Sequence, residues 1–235
     1  MKIGIIGAME PEVAILKDKM VNRETIKISD FEFFTGEIDG EEVVLVQSGI
    51  GKVASSVATT LMIMTFSPAC VINTGSAGGF DPALHVGDIV IGDAVKHHDV
   101  DVTAFGYEMG QVPKMPAAFT AHKTLITAAE KAAQSLQGLQ IKTGLIATGD
   151  SFMCDPERIE KTRGHFPDML AVEMEGASIA QSAHMLQTPF LIIRSLSDIA
   201  GKESPDSFEA YLEKASINSS ELVLNFIKEM KDKVL

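Results

Sequence analysis

The chain is short of cysteine and of basic charge, and it has no long apolar run. Only two cysteines, Cys70 and Cys154, occur among 235 residues, and neither has a second thiol nearby in the sequence. Neither a disulfide framework nor a thiolate metal cage is indicated; both thiols are expected to be reduced, with Cys70 a small core residue. Lys and Arg number 20 against 32 Asp and Glu, a formal net charge of −12. Nucleic-acid binders need clustered cations to displace counterions from phosphates, so this balance argues against such a partner and for a small neutral or zwitterionic ligand. The N-terminal segment reaches Glu10 before any apolar stretch long enough for a secretory signal or a membrane span has formed. A cytoplasmic chain with no membrane partner is expected. No repeat, low-complexity tract or Pro/Gly/Ser-rich linker breaks the sequence, and its length favours one domain over residues 1–235.

What is present is apolar material in short blocks. With 46% hydrophobic and 22% charged residues, a compact core is expected. Apolar runs at 2–6, 43–47, 71–74, 88–95, 142–147, 170–172 and 190–195 read as strands, most of them so uniformly apolar that they should be central. Helical patterns lie at about 10–20, 52–66, 122–136, 156–164 and 175–186, an alternation that signals an α/β fold. Residues 31–35 and 43–47 flank Asp39-Gly40, a hairpin signal, so the sheet should be mixed. Apolar positions from Phe208 to Met230 recur at helical spacing and predict a long C-terminal helix. The one long aperiodic stretch, 99–120, is of a length usually reserved for function or an interface.

Ligands of α/β sheets bind beyond the carboxyl ends of the strands, so the residues that follow each strand are the candidates. Gly7-Ala8-Met9-Glu10-Pro11-Glu12 follows the first, Thr74-Gly75-Ser76-Ala77-Gly78-Gly79 a later one, Glu173-Met174-Glu175-Gly176 another, and Ser197-Asp198 the last. Three strand ends thus deliver acids and none supplies a cluster of cations. Each piece has a plain structural reading as well. Glu12 suits a helix N-terminus, the small-residue run suits a tight turn after the strand, and Asp198 could cap a following segment. Of Glu173 and Glu175, only one is expected to face a given ligand. Three sharper alternatives fail on spacing. Gly4-Ile5-Ile6-Gly7 lacks the intervals of a dinucleotide fingerprint. Ser76 lacks the glycine two positions earlier that a nucleophile elbow needs. His97 and His98, adjacent on a strand, would point to opposite faces and not share a metal.

Taken together, MKIGIIGAMEPE (1–12), SGIGKVA (48–54), NTGSAGG (73–79), DVDVTAFG (99–106), VEMEGA (172–177) and RSLSD (194–198) resemble the bacterial 5′-methylthioadenosine/S-adenosylhomocysteine nucleosidase family, of the nucleoside phosphorylase superfamily. The resemblance implies a single-domain three-layer α/β/α fold with a mixed central sheet, a homodimer, and no metal or organic cofactor. It also implies hydrolysis of the N-glycosidic bond of adenine nucleosides with a sulfur-linked 5′ group. Such cleavage needs an acid at the departing base and an activated water at the sugar. The matching residues are Asp198, as the acid at adenine N7, and Glu12, as the base for the water.

By the same resemblance Phe152 stacks on adenine and the Met153 backbone reads the base edge. Glu175 takes the ribose hydroxyls with Met174 beneath the sugar, and Ser76 and Gly78 line the floor with Ala77, Glu173 and Ser197, while Arg194 positions the site. The thioether arm would meet Met9, Ile50 and Phe208 together with Val102, Phe105 and Pro113 of the partner subunit; without the resemblance, Ile50 and Phe208 read as core. Two competing functions stay open at this point: a phosphate-dependent nucleoside phosphorylase, and a binding protein without turnover. Against the first, phosphate must be held by cations, and Lys52 is the only basic residue adjoining the glycine motifs. Against the second, both acids are retained.

Overall fold

The computed structural model describes residues 1–200 and 204–235 of the chain. Ten strands and six helices follow in the order β1 (Lys2–Gly7), α1 (Glu10–Lys19), β2 (Val21–Ile28), β3 (Phe31–Ile38), β4 (Glu41–Gln47), α2 (Lys52–Phe66) and β5 (Cys70–Gly79). After these come β6 (Ile89–His97), β7 (Phe119–Thr120), α3 (Lys123–Ala133), β8 (Ile141–Thr148), α4 (Pro156–His165), β9 (Met169–Glu173), α5 (Gly176–Met185), β10 (Phe190–Ile199) and α6 (Ser204–Met230). The expected strands and helices are all there, most with shifted ends and α2 with none. The hairpin at Asp39-Gly40 joins β3 and β4 antiparallel, and the long aperiodic stretch holds a 3₁₀ turn (Thr103–Phe105) and the short β7.

The sheet is mixed. β1 lies parallel between β4 and β5, and β10 is parallel to β5 but antiparallel to β6. Because β6 pairs β8, β8 pairs β9 and β9 pairs β5, the strands β10, β6, β8, β9 and β5 close into a ring from which β1, β4, β3 and β2 extend. Ile3, Ile5 and Ile6 of β1, Val71 and Ile72 of β5 and Leu191 to Ile193 of β10 are fully buried, which is why their sequences are apolar without alternation. The long helix α6 packs on β10 and β5 and against α1 and α3, while α2 packs on α5.

Local chemistry sets the element ends that matter for the site. α1 begins with Pro11 in its first turn beside Glu10 and Glu12, all suited to a helix N-terminus. α2 starts after Gly51, whose φ of +96° is accessible to glycine at no steric cost. α4 is capped by the Asp155 side chain, which accepts from the Arg158 N–H at 2.8 Å, with Pro156 next. Two expectations need correction. The small-residue run at 74–79 is no turn: it forms the second half of β5 and stays hydrogen-bonded to β10 through Gly79. Asp198 does not follow the last strand but belongs to it, as the penultimate residue of β10.

Candidate active site

At the carboxyl-terminal parts of β5, β9 and β10 and just past β1 lies a cavity of about 370 Å³. Glu12, Asp198, Met9, Ile50, Ser76, Ala77, Gly78, Phe152, Met153, Glu173, Met174, Glu175, Arg194, Ser197 and Phe208 all line it, joined by Ala8, Ser151 and Val172, which sequence reasoning did not single out. Val102, Phe105 and Pro113 do not: they sit on the segment between β6 and β7, with Phe105 82% exposed. Ile50 is 57% exposed at the cavity's edge and is not a core residue. Phe152 and Phe208 meet edge to face across the opening, their ring centroids 5.7 Å apart.

Glu12 is 1% exposed and fully engaged. One carboxylate oxygen accepts the N–H groups of Ala8 (2.8 Å) and Met9 (3.0 Å), closing the helix start as the plain reading expects. The other accepts the Ser76 N–H (2.9 Å) and hydroxyl (3.0 Å), crossing to β5. This close approach requires the glycine before Ser76: a Cβ at Gly75 would lie 2.7 Å from the Glu12 carboxyl carbon and collide with the Arg194 guanidinium. Asp198, 3% exposed, accepts from the Ser197 hydroxyl at 3.0 Å and lies beside Gly78, where a Cβ would come within 3.2 Å of it. The register of β10 against β5 shifts between Leu196 and Asp198. Such a bulge re-aims side chains, which accounts for the neighbours Ser197 and Asp198 both facing the cavity.

Glu173 and Glu175 both line the cavity, which corrects the expectation that only one would: residues two apart in extended chain point to the same side, and here β9 ends at Glu173 while Glu175 is the N-cap residue of α5. Glu173 accepts the N–H groups of Glu175 (3.0 Å) and Gly176 (2.8 Å), the Thr148 hydroxyl and the Arg194 guanidinium. The Thr148 hydroxyl in turn accepts the Ala177 N–H at 2.7 Å, so the first amides of α5 are all satisfied. Arg194 is the largest fully buried side chain among the described residues. It reaches Glu173, Glu175 (3.4 Å), the Asn73 amide oxygen (2.5 Å) and the Ser76 carbonyl (3.4 Å). Burial works against its charge, and Glu173, Glu175 and Glu12 outweigh that, so its pKa is raised. Glu175 accepts the Gly51 N–H at 2.8 Å. Burial pushes its carboxyl up to about 7, with Glu173 and Glu12 adding to the shift while Arg194 and the Gly51 N–H oppose it.

Arg194 is the one cation among the described lining residues, and carboxylates already engage it. Lys52 is committed as well: its ammonium donates to Asp99 at 2.7 Å. Among the described residues no group of three or more His, Cys, Asp or Glu could hold a metal ion. The His97 ring bonds Gln181 (3.0 Å), and a Cβ at Gly149 would collide with the His98 ring; burial lowers the pKa of both histidines. Among the described residues no helix is long and apolar enough to cross a membrane.

Similarity to known proteins identifies the family. Residues 2–228 match the phosphorylase superfamily. The 5′-methylthioadenosine/S-adenosylhomocysteine nucleosidase of Pseudoalteromonas translucida is 64% identical over 98% of this chain and 98% of its own length. The Bacillus subtilis nucleosidase of the same name is 55% identical over 98% of this chain and 100% of its own. The chain belongs to the 5′-methylthioadenosine/S-adenosylhomocysteine nucleosidase family of this superfamily. Among solved nucleosidase structures, that from Colwellia psychrerythraea in complex with adenine superposes with a TM-score of 0.99 at 58% identity, covering 100% of this chain and 98% of that one. The Neisseria meningitidis nucleosidase in complex with methylthio-immucillin-A gives 0.95 at 47% identity, over 97% of this chain and 98% of that one. The nucleosidase fold is therefore the fold of this chain. The residues sequence reasoning missed here, Thr148 at the end of β8 and Asn73 inside β5, hold other side chains rather than line the cavity.

Proposed function

We propose that this nucleosidase hydrolyses the N-glycosidic bond of 5′-methylthioadenosine and S-adenosylhomocysteine, and of 5′-deoxyadenosine, releasing adenine. The observation that carries the reading is that Glu12 and Asp198, 186 positions apart in the sequence, line one cavity whose described cation is already matched by carboxylates. Glycosidic cleavage builds positive charge on the ribose and negative charge on the base. Asp198 protonates adenine N7 as the base departs, and Glu12 orients and deprotonates the water attacking C1′. Ser76 and the turn at Ala8 and Met9 hold Glu12 for that task through four hydrogen bonds.

Glu175 accepts the ribose hydroxyls with Met174 under the sugar and Gly78 and Ala77 at the floor; Arg194, Glu173 and Ser197 fix the acids around them. Phe152 stacks on adenine and Met153 reads its edge. Met9, Ile50 and Phe208 receive the apolar 5′ arm, completed by Val102, Phe105 and Pro113 of the partner subunit in a homodimer. Support for pairing comes from α2, which turns Val53, Val57 and Met64 outward, 77%, 44% and 68% exposed, next to Met185 of α5 at 61%. Exposed apolar side chains gathered on one helix face are suited to burial against a second protein surface. The catalytic domain spans the chain and acts in the cytoplasm without a cofactor.

A phosphorylase would need to seat phosphate beside Glu12. Each pair of unit charges at ~4 Å in moderately screened surroundings costs roughly 1–4 kcal/mol. With Lys52 bound to Asp99 and Arg194 engaged by Glu173 and Glu175, no uncommitted cation adjoins it among the described residues. The deciding assay is turnover of methylthioadenosine in phosphate-free buffer. Release of adenine and free methylthioribose is expected; strict dependence on phosphate would move the assignment to phosphorolysis, and tight binding without turnover to a binding protein.

A further inference from the structure

Three residues near the cavity take no part in the reaction as assigned, yet they form a closed triangle over its edge. Asp150 follows β8, and its Oδ1 accepts the Lys52 N–H at 2.8 Å at the start of α2. Its own N–H donates to Asp99 Oδ2 at 3.1 Å, just beyond β6, and Asp99 Oδ1 accepts the Lys52 Nζ at 2.7 Å. Burial opposes the charge on Asp99, but Lys52 and the Asp150 N–H outweigh it and hold its carboxyl below the usual carboxylate range. Three segments distant in sequence are thereby tied at one point.

That point adjoins two parts of the site. The N–H one residue before Lys52, that of Gly51, donates to Glu175 Oε1 at 2.8 Å. The first amides of a helix have no acceptor within it, so Asp150 and Glu175 together fix the direction of the α2 start. The fit is close: a Cβ on Gly51 would lie 3.0 Å from Asp150 Oδ1. On its other side Asp150 leads directly into Ser151, Phe152 and Met153, all lining the cavity.

We propose that Asp150, braced by Asp99 and Lys52, is a positioning residue that aims the Gly51 N–H at Glu175 and anchors the segment carrying Phe152. This rests on Glu175 as the ribose carboxylate and Phe152 as the adenine platform. The Lys52–Asp99 ion pair by itself contributes little to stability; the reach of Asp150 into the site runs through the Gly51 N–H to Glu175 and through residues 151–153, so its effect extends to substrate binding and to the charge state of Glu175. Glu175 is faced by Glu173 from β9, Arg194 from β10, Glu12 from α1 and the Gly51 N–H from α2. Of these only the last depends on Asp150.

The test compares purified full-length wild type, D150A, D150N and K52M by kinetics with methylthioadenosine between pH 5 and 9, and by amide hydrogen exchange of peptides spanning 50–53 and 150–154. D150A is expected to lower kcat/KM about fivefold, the worth of one helix-capping bond, chiefly through KM. The acidic limb of its profile should move to higher pH, and both peptides should exchange faster. D150N keeps an oxygen facing the Lys52 N–H and should recover all three readouts; K52M should loosen the same peptides. Wild-type exchange and kinetics in both D150A and K52M, or a D150N as impaired as D150A, would overturn the proposal. If wild type releases no adenine, the functional reading fails, while exchange in D150A still decides the positioning claim.

Discussion

Replacing Glu12 by glutamine tests the acid pair and the hydrogen-bond accounting together. The carboxylate receives four donors, two on each oxygen. A glutamine offers one oxygen and one NH2 group. With the oxygen toward Ala8 and Met9, the NH2 faces Ser76, whose hydroxyl can rotate to accept from it, and only the Ser76 N–H loses its acceptor. With the amide reversed, both the Ala8 and Met9 amides would be orphaned, so the first orientation should win. One buried unsatisfied amide costs about 1–3 kcal/mol, and for a chain of this size each kcal/mol lowers Tm by about 2–4 °C. E12Q should therefore melt roughly 2–12 °C below wild type yet stay folded. It should also lose turnover by about 10²–10⁴, the usual worth of a positioned general base. Scanning calorimetry and adenine release measure the two quantities. Turnover within twofold of wild type would remove Glu12 from the chemistry, and an unchanged Tm would refute the count of donors.

D198N should lose about 10²–10⁴ in kcat with methylthioadenosine, but much less with a ribosyl donor whose leaving group needs no proton, such as p-nitrophenolate; equal losses with both would take the leaving-group proton away from Asp198. G75A drives a methyl into the Glu12 carboxylate and the Arg194 guanidinium, so it should cost activity well beyond tenfold while a neighbouring strand substitution does not; wild-type kinetics would show that these groups can shift freely. For Glu175, between the free value of 4.5 and the folded value of about 7 the native chain holds a proton that the unfolded chain has released. Stability from this group is present below pH 4.5 and is lost as pH rises toward 7. The urea midpoint of wild type relative to E175Q should fall across that window, and a rise would reverse the assigned cause.

Much of the fold was readable because burial removes alternation. The all-apolar runs of β1, β5 and β10 belong to strands covered on both sides, and 52–66 matches α2 end to end. β2 escaped because it lies at the sheet edge with nearly every residue exposed, so VNRETIKI carries neither an apolar run nor a one-sided pattern. The closed ring escaped because pairings such as β10 with β6 depend on contacts about a hundred residues apart. At the site, the acids were legible as residues at or just past the ends of apolar runs, although Glu173 and Asp198 belong to their strands. Their facing was not: Glu175 turns with the start of α5, and Ser197 and Asp198 face the cavity together through a shift in register, neither of which leaves a mark on composition. The supporting groups Thr148, Asn73 and Asp150 were illegible for a related reason, since their role exists only through partners brought close by folding.

The run from Gly75 to Gly79 belongs to a strand laced to β10, whereas Met9, Ile50, Phe152 and Phe208 stand outside any strand. The pocket thus combines a stiff base with an adaptable rim. On the proposed assignment, redesign toward bulkier or more polar 5′ substituents can proceed at Met9, Ile50 and Phe208 without retuning the bond-breaking apparatus, whereas any change at the sugar floor must contend with a backbone that has almost no room to yield.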